Sequence, residues 1–172
     1  ASIGITSSAI GYKNPMDALR DADIAMYRAK QEKKGGYQIF TPQMQASALA
    51  RMQMEHNLRK GIAAEEFSLH YQPILSLTTK ELKGFEALLR WNHPNGMIPP
   101  GKFIPLAEET GLINPLGWWI VREACSQLQR WQTEFPDFPL SLNINFSPVQ
   151  FKQANLFEKL AEILSETGVT EN

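Results

Sequence analysis

A connection too short for a crossover constrains this sequence more than any other feature. Phe67, Leu69 and Tyr71 alternate with polar residues and read as a strand ending near Ile74, and Leu82 to Trp91 reads as a second strand. Only Leu75 to Glu81 lies between them. A parallel pair needs a crossover of about a dozen residues or more, so these strands are antiparallel if they are neighbours. The elements that follow alternate. A short helix is expected from Lys102 to Thr110, and a long one from Asn114-Pro115 to near Glu134. A strand from Leu140 to Phe146 comes next, then a helix from near Asn155 to Thr167, closed by Gly168. From residue 63 the order is β-β-α-α-β-α, which predicts an α/β fold with a mostly parallel sheet or barrel after an opening hairpin. A complete (β/α)8 barrel takes about 250 residues. Residues 63–172 supply about 110, so the expectation is an incomplete TIM-like barrel with an antiparallel first strand.

Upstream, Ser2 to Thr6 alternates as a strand does, and its place at the start of the chain implies a beginning inside a domain. Asn14-Pro15 opens a helix reaching near Lys34, with Ala18, Ala22, Ala25, Met26 and Ala29 as its stripe of small residues. Gly35-Gly36 ends it, and Tyr37 to Phe40 reads as a short strand. Thr41-Pro42 starts another helix, where Met44, Ala48, Met52, Leu58 and Ile62 fall near one narrow face. That narrow stripe suits a connector. The expected organisation is a first domain remnant over 1–40, a linker helix over 41–62 and a truncated second domain over 63–172.

Charge and cysteine content exclude several functions. Seventeen basic residues stand against 18 acidic ones, a net charge of −1, which argues against a grip on nucleic-acid polymers. One cysteine, Cys125, allows no internal disulfide and no Cys-based zinc site, and reads as a buried thiol on a helix. No apolar run approaches the roughly 20 residues of a membrane span. A cytoplasmic location is therefore expected, with membrane anchoring of a parent protein through other segments left open.

Polar residues inside strands carry the chemistry. With a period of two, Leu82, Gly84, Glu86, Leu88 and Arg90 share one face, while Phe85, Ala87, Leu89 and Trp91 share the other. A carboxylate among apolar neighbours is costly to bury unpaired. Either Glu86 pairs with Arg90, two steps of the pleat away, or it ligates a metal beside a cation for a phosphate; polarity alone does not choose. Leu140, Leu142, Ile144 and Phe146 point one way, and Ser141, Asn143 and Asn145 the other. Asn145 is either a strand-end turn residue or part of a site.

Four segments resemble, in order, the signature segments of the EAL domain family. They are Phe67-Ser-Leu-His-Tyr-Gln-Pro-Ile74, Gly84-Phe-Glu-Ala-Leu-Leu-Arg-Trp91, Phe103-Ile-Pro-Leu-Ala-Glu-Glu-Thr-Gly-Leu-Ile113 and Ser141-Leu-Asn-Ile-Asn-Phe-Ser147. The resemblance spans essentially all of residues 65–172. It implies a barrel enzyme that cleaves cyclic-di-GMP to the linear pGpG with Mg2+ or Mn2+. It implies that Glu86 and Asn145 are metal ligands, that Arg90 contacts a substrate phosphate and that Gln72 lies near the nucleotide. Further acidic ligands and a lysine of the family belong to later strands. Glu86 and Asn145 provide one charged ligand, so these 172 residues are expected to be inactive alone.

Residues 1–40 resemble the end of a GGDEF, or diguanylate cyclase, domain through Ala1-Ser-Ile-Gly-Ile5 and Ala22-Asp-Ile-Ala-Met-Tyr-Arg-Ala-Lys30. The resemblance puts Lys30 at a lysine that contacts the nucleotide triphosphate, against the alternative of a solvated helix charge. Lys34 stands where active cyclases often have arginine, which weakens bidentate phosphate contact. The expected partners are cyclic-di-GMP, GTP at the upstream domain of the parent, and a second copy in a parental homodimer. His70 and His93 have no partner histidine at ligand spacing and read as packing or surface residues. Trp118 and Trp119 face about 100° apart on a helix and read as packing too. Two alternatives to a phosphodiesterase parent remain: a degenerate EAL module that only binds cyclic-di-GMP or a protein, and a parent that is chiefly a cyclase.

Overall fold

The computed structural model describes residues 1–32 and 35–170, and the expectation for Lys34 lies outside them. The chain divides into two compact units, Ala1–His56 and Asn57–Asn172.

In the first unit, strands β1 (Ser2–Ile5) and β2 (Gly36–Ile39) pair in parallel with Ile5 opposite Ile39. Helix α1 (Pro15–Glu32) makes the crossover between them. Asn14 caps it, its Oδ1 accepting from the Met16 N–H at 3.0 Å, as the Asn-Pro start predicts. Ala25 and Ala29 are buried, but Met26 is 41% exposed, against expectation. One position past Ala25 turns it about 100° from the packed face. Asp21 is buried because its carboxylate accepts from the Tyr12 hydroxyl at 2.9 Å and from Arg20 Nε at 3.2 Å.

Helix α2 (Pro42–Ala63) begins in this unit, where Met44 joins Ala25 and Phe40 in a small core. Met52 does not share the stripe and is 68% exposed. Eight residues beyond Met44 it has drifted about 80° around the helix. The two units part within α2, between His56 and Asn57.

The second unit is built on a three-stranded sheet in the order β3 (Phe67–Leu75), β4 (Leu82–Trp91), β5 (Ser141–Ile144). β3 and β4 are antiparallel, as the short connection requires, and β4 and β5 are parallel. Helices α3 (Pro100–Thr110) and α4 (Ile113–Glu134) make the crossover, and α5 (Leu156–Thr167) follows β5. α3 starts two residues earlier than predicted because Pro100 suits the first helical turn. β5 is shorter than predicted because the chain turns at Ser147 into the 3-10 turn Gln150–Lys152.

One face of the sheet packs against α3 and α4. Fully buried Trp91 stacks on Phe67 at 5.4 Å between centroids and meets Phe103 edge-on at 5.3 Å. Its Nε1–H donates to Glu66 Oε2 at 2.9 Å, so the indole is buried without an unpaired donor. Trp119 packs near Phe67 at 6.5 Å, whereas Trp118 donates to Gln153 Oε1 at 3.1 Å. The adjacent tryptophans therefore serve separate contacts, as their helical spacing predicts. Ile144 and Phe146 pack with Val121, Cys125 and Ile163 under α4 and α5, and burial pushes the Cys125 thiol pKa up.

Tyr71 meets Trp131 edge-on at 4.9 Å on the same helix-covered face. Burial, reinforced by the Glu123 carboxylate and opposed by Arg130, pushes its phenol pKa up to about 12. The unfolded phenol titrates near 10, so between pH 10 and about 12 the unfolded state loses a proton that the folded state keeps. Stability therefore falls across that window. Urea midpoints measured from pH 9 to 12 should show a shallower decline in Tyr71→Phe than in the unsubstituted protein.

Candidate functional site

The opposite face of the sheet carries a row of polar side chains among Ile74, Leu82 and Leu88. The ladders set Gln72 beside Glu86 and Glu86 beside Asn143, and residues in register share a face. A polar row thus runs across all three strands. Asn145 lies two residues beyond Asn143, on the same side, and its Nδ2 donates to Glu86 Oε1 at 2.7 Å. An amide presents its nitrogen to a carboxylate because two facing acceptors would repel. That orientation leaves Asn145 Oδ1 and the second Glu86 oxygen available to another partner. Glu86 is half-buried, while Gln72 and Asn145 are exposed.

Arg90 sits on this face opposite Ser68, about 13 Å along the strand from Glu86. Its guanidinium donates to the Leu89 carbonyl at 2.9 Å. Among the described residues no ion pair joins it to Glu86. The ion-pair account of a carboxylate inside β4 is therefore replaced by the contact with Asn145. His70 is exposed on the same face, and His93 belongs to the following turn, its Nδ1 accepting from the Asn95 N–H at 3.1 Å. Lys30 lies on the exposed side of the last turn of α1, in the other unit. Among the described residues no three His, Cys, Asp or Glu side chains cluster as a metal cage, and no helix is long and apolar enough to cross a membrane.

Sequence reasoning missed two parts of this region. Asn143 follows the same period of two as Asn145, so the pattern Ser-Leu-Asn-Ile-Asn carried that signal. Glu108 and Ser147 both lie in segments that carry the family resemblance, but nothing in the spacing pairs them: Glu108 reaches Ser147 from α3, accepting a hydrogen bond from its hydroxyl at 2.6 Å.

The chain belongs to the EAL domain family, which matches residues 55–172. It is 38% identical over 165 residues to MucR of Pseudomonas aeruginosa, a protein named as a bifunctional diguanylate cyclase/cyclic di-GMP phosphodiesterase. That alignment covers 95% of this chain and 24% of MucR. It is 35% identical over 166 residues to the cyclic di-GMP phosphodiesterase PdeR of Escherichia coli, covering 96% of this chain and 25% of PdeR. The chain thus spans about a quarter of the length of these relatives. Its fold is similar to the solved structure of the MucR phosphodiesterase in complex with c-di-GMP, with a TM-score of 0.65 and 38% identity. That similarity covers 68% of this chain and 47% of the other. The mixed α/β unit is therefore of the EAL type.

The contact between Glu86 and Asn145 depends on how closely β4 approaches β5. A Cβ at Gly84 would lie 2.1 Å from the Ser141 carbonyl oxygen and 2.4 Å from its Oγ. Gly84→Ala should push the strands apart and lower stability by roughly 1–3 kcal/mol, the usual cost of overpacking. Urea unfolding measures the loss. A midpoint unchanged within error would mean that the strands are not locked at this point.

Proposed function

We propose that this chain is the front part of an EAL-type phosphodiesterase that hydrolyses cyclic-di-GMP to pGpG, and that its polar sheet face is one wall of the active site. The contact of Asn145 with Glu86 at 2.7 Å carries this reading, because it gathers a carboxylate and an amide on the face opposite the one that α3 and α4 cover. Mg2+ and Mn2+ prefer such hard oxygen donors, so the residues fit the ion that the family resemblance implies. Such an ion supplies charge neutralisation at a phosphodiester and a more acidic water.

The chain's own residues would divide the remaining work. Glu86 and Asn145 hold the ion. Gln72, in register with Glu86, donates and accepts hydrogen bonds at the nucleotide. Arg90 turns its planar fork to a phosphate of the substrate. One carboxylate is too little charge to hold two divalent cations, so these 172 residues do not hydrolyse cyclic-di-GMP alone. The activity belongs to the parent, whose other strands complete an incomplete TIM-like barrel. Residues 1–40 are read as the end of a GGDEF domain, with Lys30 on its GTP-binding side and α2 as the connector. A cytoplasmic, homodimeric parent is compatible with this reading.

Two preparations test it. The parent should convert cyclic-di-GMP to pGpG with Mg2+ or Mn2+, and the 172-residue piece should show no turnover above a protein-free blank. Glu86→Gln in the parent should reduce kcat/KM by at least roughly a hundredfold, beyond the usual effect of groups that only orient a ligand. A parent that binds cyclic-di-GMP without cleaving it would instead support the receptor alternative. Full activity in the Glu86→Gln parent would remove Glu86 from the site.

A further inference from the structure

The strand that presents Asn145 ends at Ile144, so regular pairing does not hold the asparagine in place. The segment just after it is fastened unusually well. Ser147 is buried, and every polar atom it has is engaged. Its Oγ–H donates to Glu108 Oε1 at 2.6 Å, and the same oxygen accepts from the Val149 N–H at 3.2 Å. Its N–H donates to Gln150 Oε1 at 2.9 Å. Its carbonyl accepts from the N–H groups of Gln150 at 3.0 Å and Phe151 at 3.4 Å.

Gln150 is itself 3% exposed and lies against α4 at Gly117. A Cβ there would lie 1.9 Å from Gln150 Nε2. Glycine inside a helix is destabilising, and here it leaves the notch that admits the glutamine amide. Ser147 is therefore held directly from α3 by Glu108 and, through Gln150, by a side chain seated against α4. An extended chain alternates sides, so Phe146 enters the core under α4 and α5 while Asn145 faces the polar side. Holding Ser147 and Phe146 leaves Asn145 little freedom to leave Glu86.

We propose that Glu108 and Gln150 are positioning residues that clamp Ser147 and thereby keep the Asn145 amide on Glu86, ready for a divalent cation. The clamp rests on the reading of Glu86 and Asn145 as ligands. It adds that a carboxylate on α3, acting through Ser147, sets the affinity of the site.

The test uses the full-length parent and three readouts: Mn2+ titration by electron paramagnetic resonance, the melting temperature, and crystal structures giving the Asn145–Glu86 separation. Glu108→Ala should weaken Mn2+ binding by roughly tenfold or more and release Asn145 from Glu86. Glu108→Gln, whose amide oxygen still accepts the Ser147 proton, should stay within about threefold of the parent. A purely structural role predicts a lower melting temperature in Glu108→Ala with unchanged Mn2+ affinity, and that result would overturn the clamp. Should Glu108→Ala fail to fold, Gln150→Ala is judged by the same criteria. Glu86→Gln separates the two claims. If it abolishes Mn2+ binding while Glu108→Ala does not, the clamp is wrong and the metal site stands. If Mn2+ binding survives Glu86→Gln, the metal reading fails, and the crystallographic separation alone decides whether the clamp holds Asn145.

Discussion

β4 is paired along both edges, antiparallel to β3 and parallel to β5, and the rest of the second unit depends on that double register. Its alternate residues divide the molecule's work. Ala87, Leu89 and Trp91 are buried on one side, while Glu86 and Arg90 face the other. Side chains alternate with a period of two, so a slip of a single residue would send Glu86 beneath the helices and bring Ala87 to the polar row. Burial of the aromatic face therefore guards the site. The apolar cost of a wrong register is what keeps a carboxylate, an amide and a guanidinium on one surface.

The two faces also stabilise the chain differently. Phe67, Trp91 and Phe103 interlock beneath α3 and α4 at centroid distances of 5.3 to 5.8 Å, and such burial supplies the dominant favourable term in folding. The face that carries Glu86 is less apolar and more open, with Gln72, His70 and Asn145 exposed on it. Its residues are held indirectly, through strands that the apolar face anchors and through the serine beyond β5. For the ion binding proposed above, strands anchored in this way position the oxygen donors without burying them fully.

Much of this arrangement was legible in the sequence because two strong signals agreed. Connection length required the antiparallel pair, and the alternation in 82–91 and 140–146 assigned faces correctly for Glu86, Ala87, Trp91, Ile144 and Asn145. Failures came where spacing alone was followed. Met26 and Met52 were assigned to stripes, but one is a neighbour of the packed position and the other has drifted around its helix. The choice between Arg90 and a ligand role for Glu86 depended on side-chain direction, which periodicity does not contain. Glu108 and Ser147 are 39 positions apart, and no local pattern records a contact made by folding two elements together.

Cys125, the chain's single cysteine, is sealed among Val121, Ile163 and Phe146 in the seam between α4 and α5. A thiol there is shielded from aqueous electrophiles until the seam parts. The molecule therefore carries its own reporter. The rate at which an alkylating reagent captures this sulfur measures how often those helices separate, free of background from any second thiol.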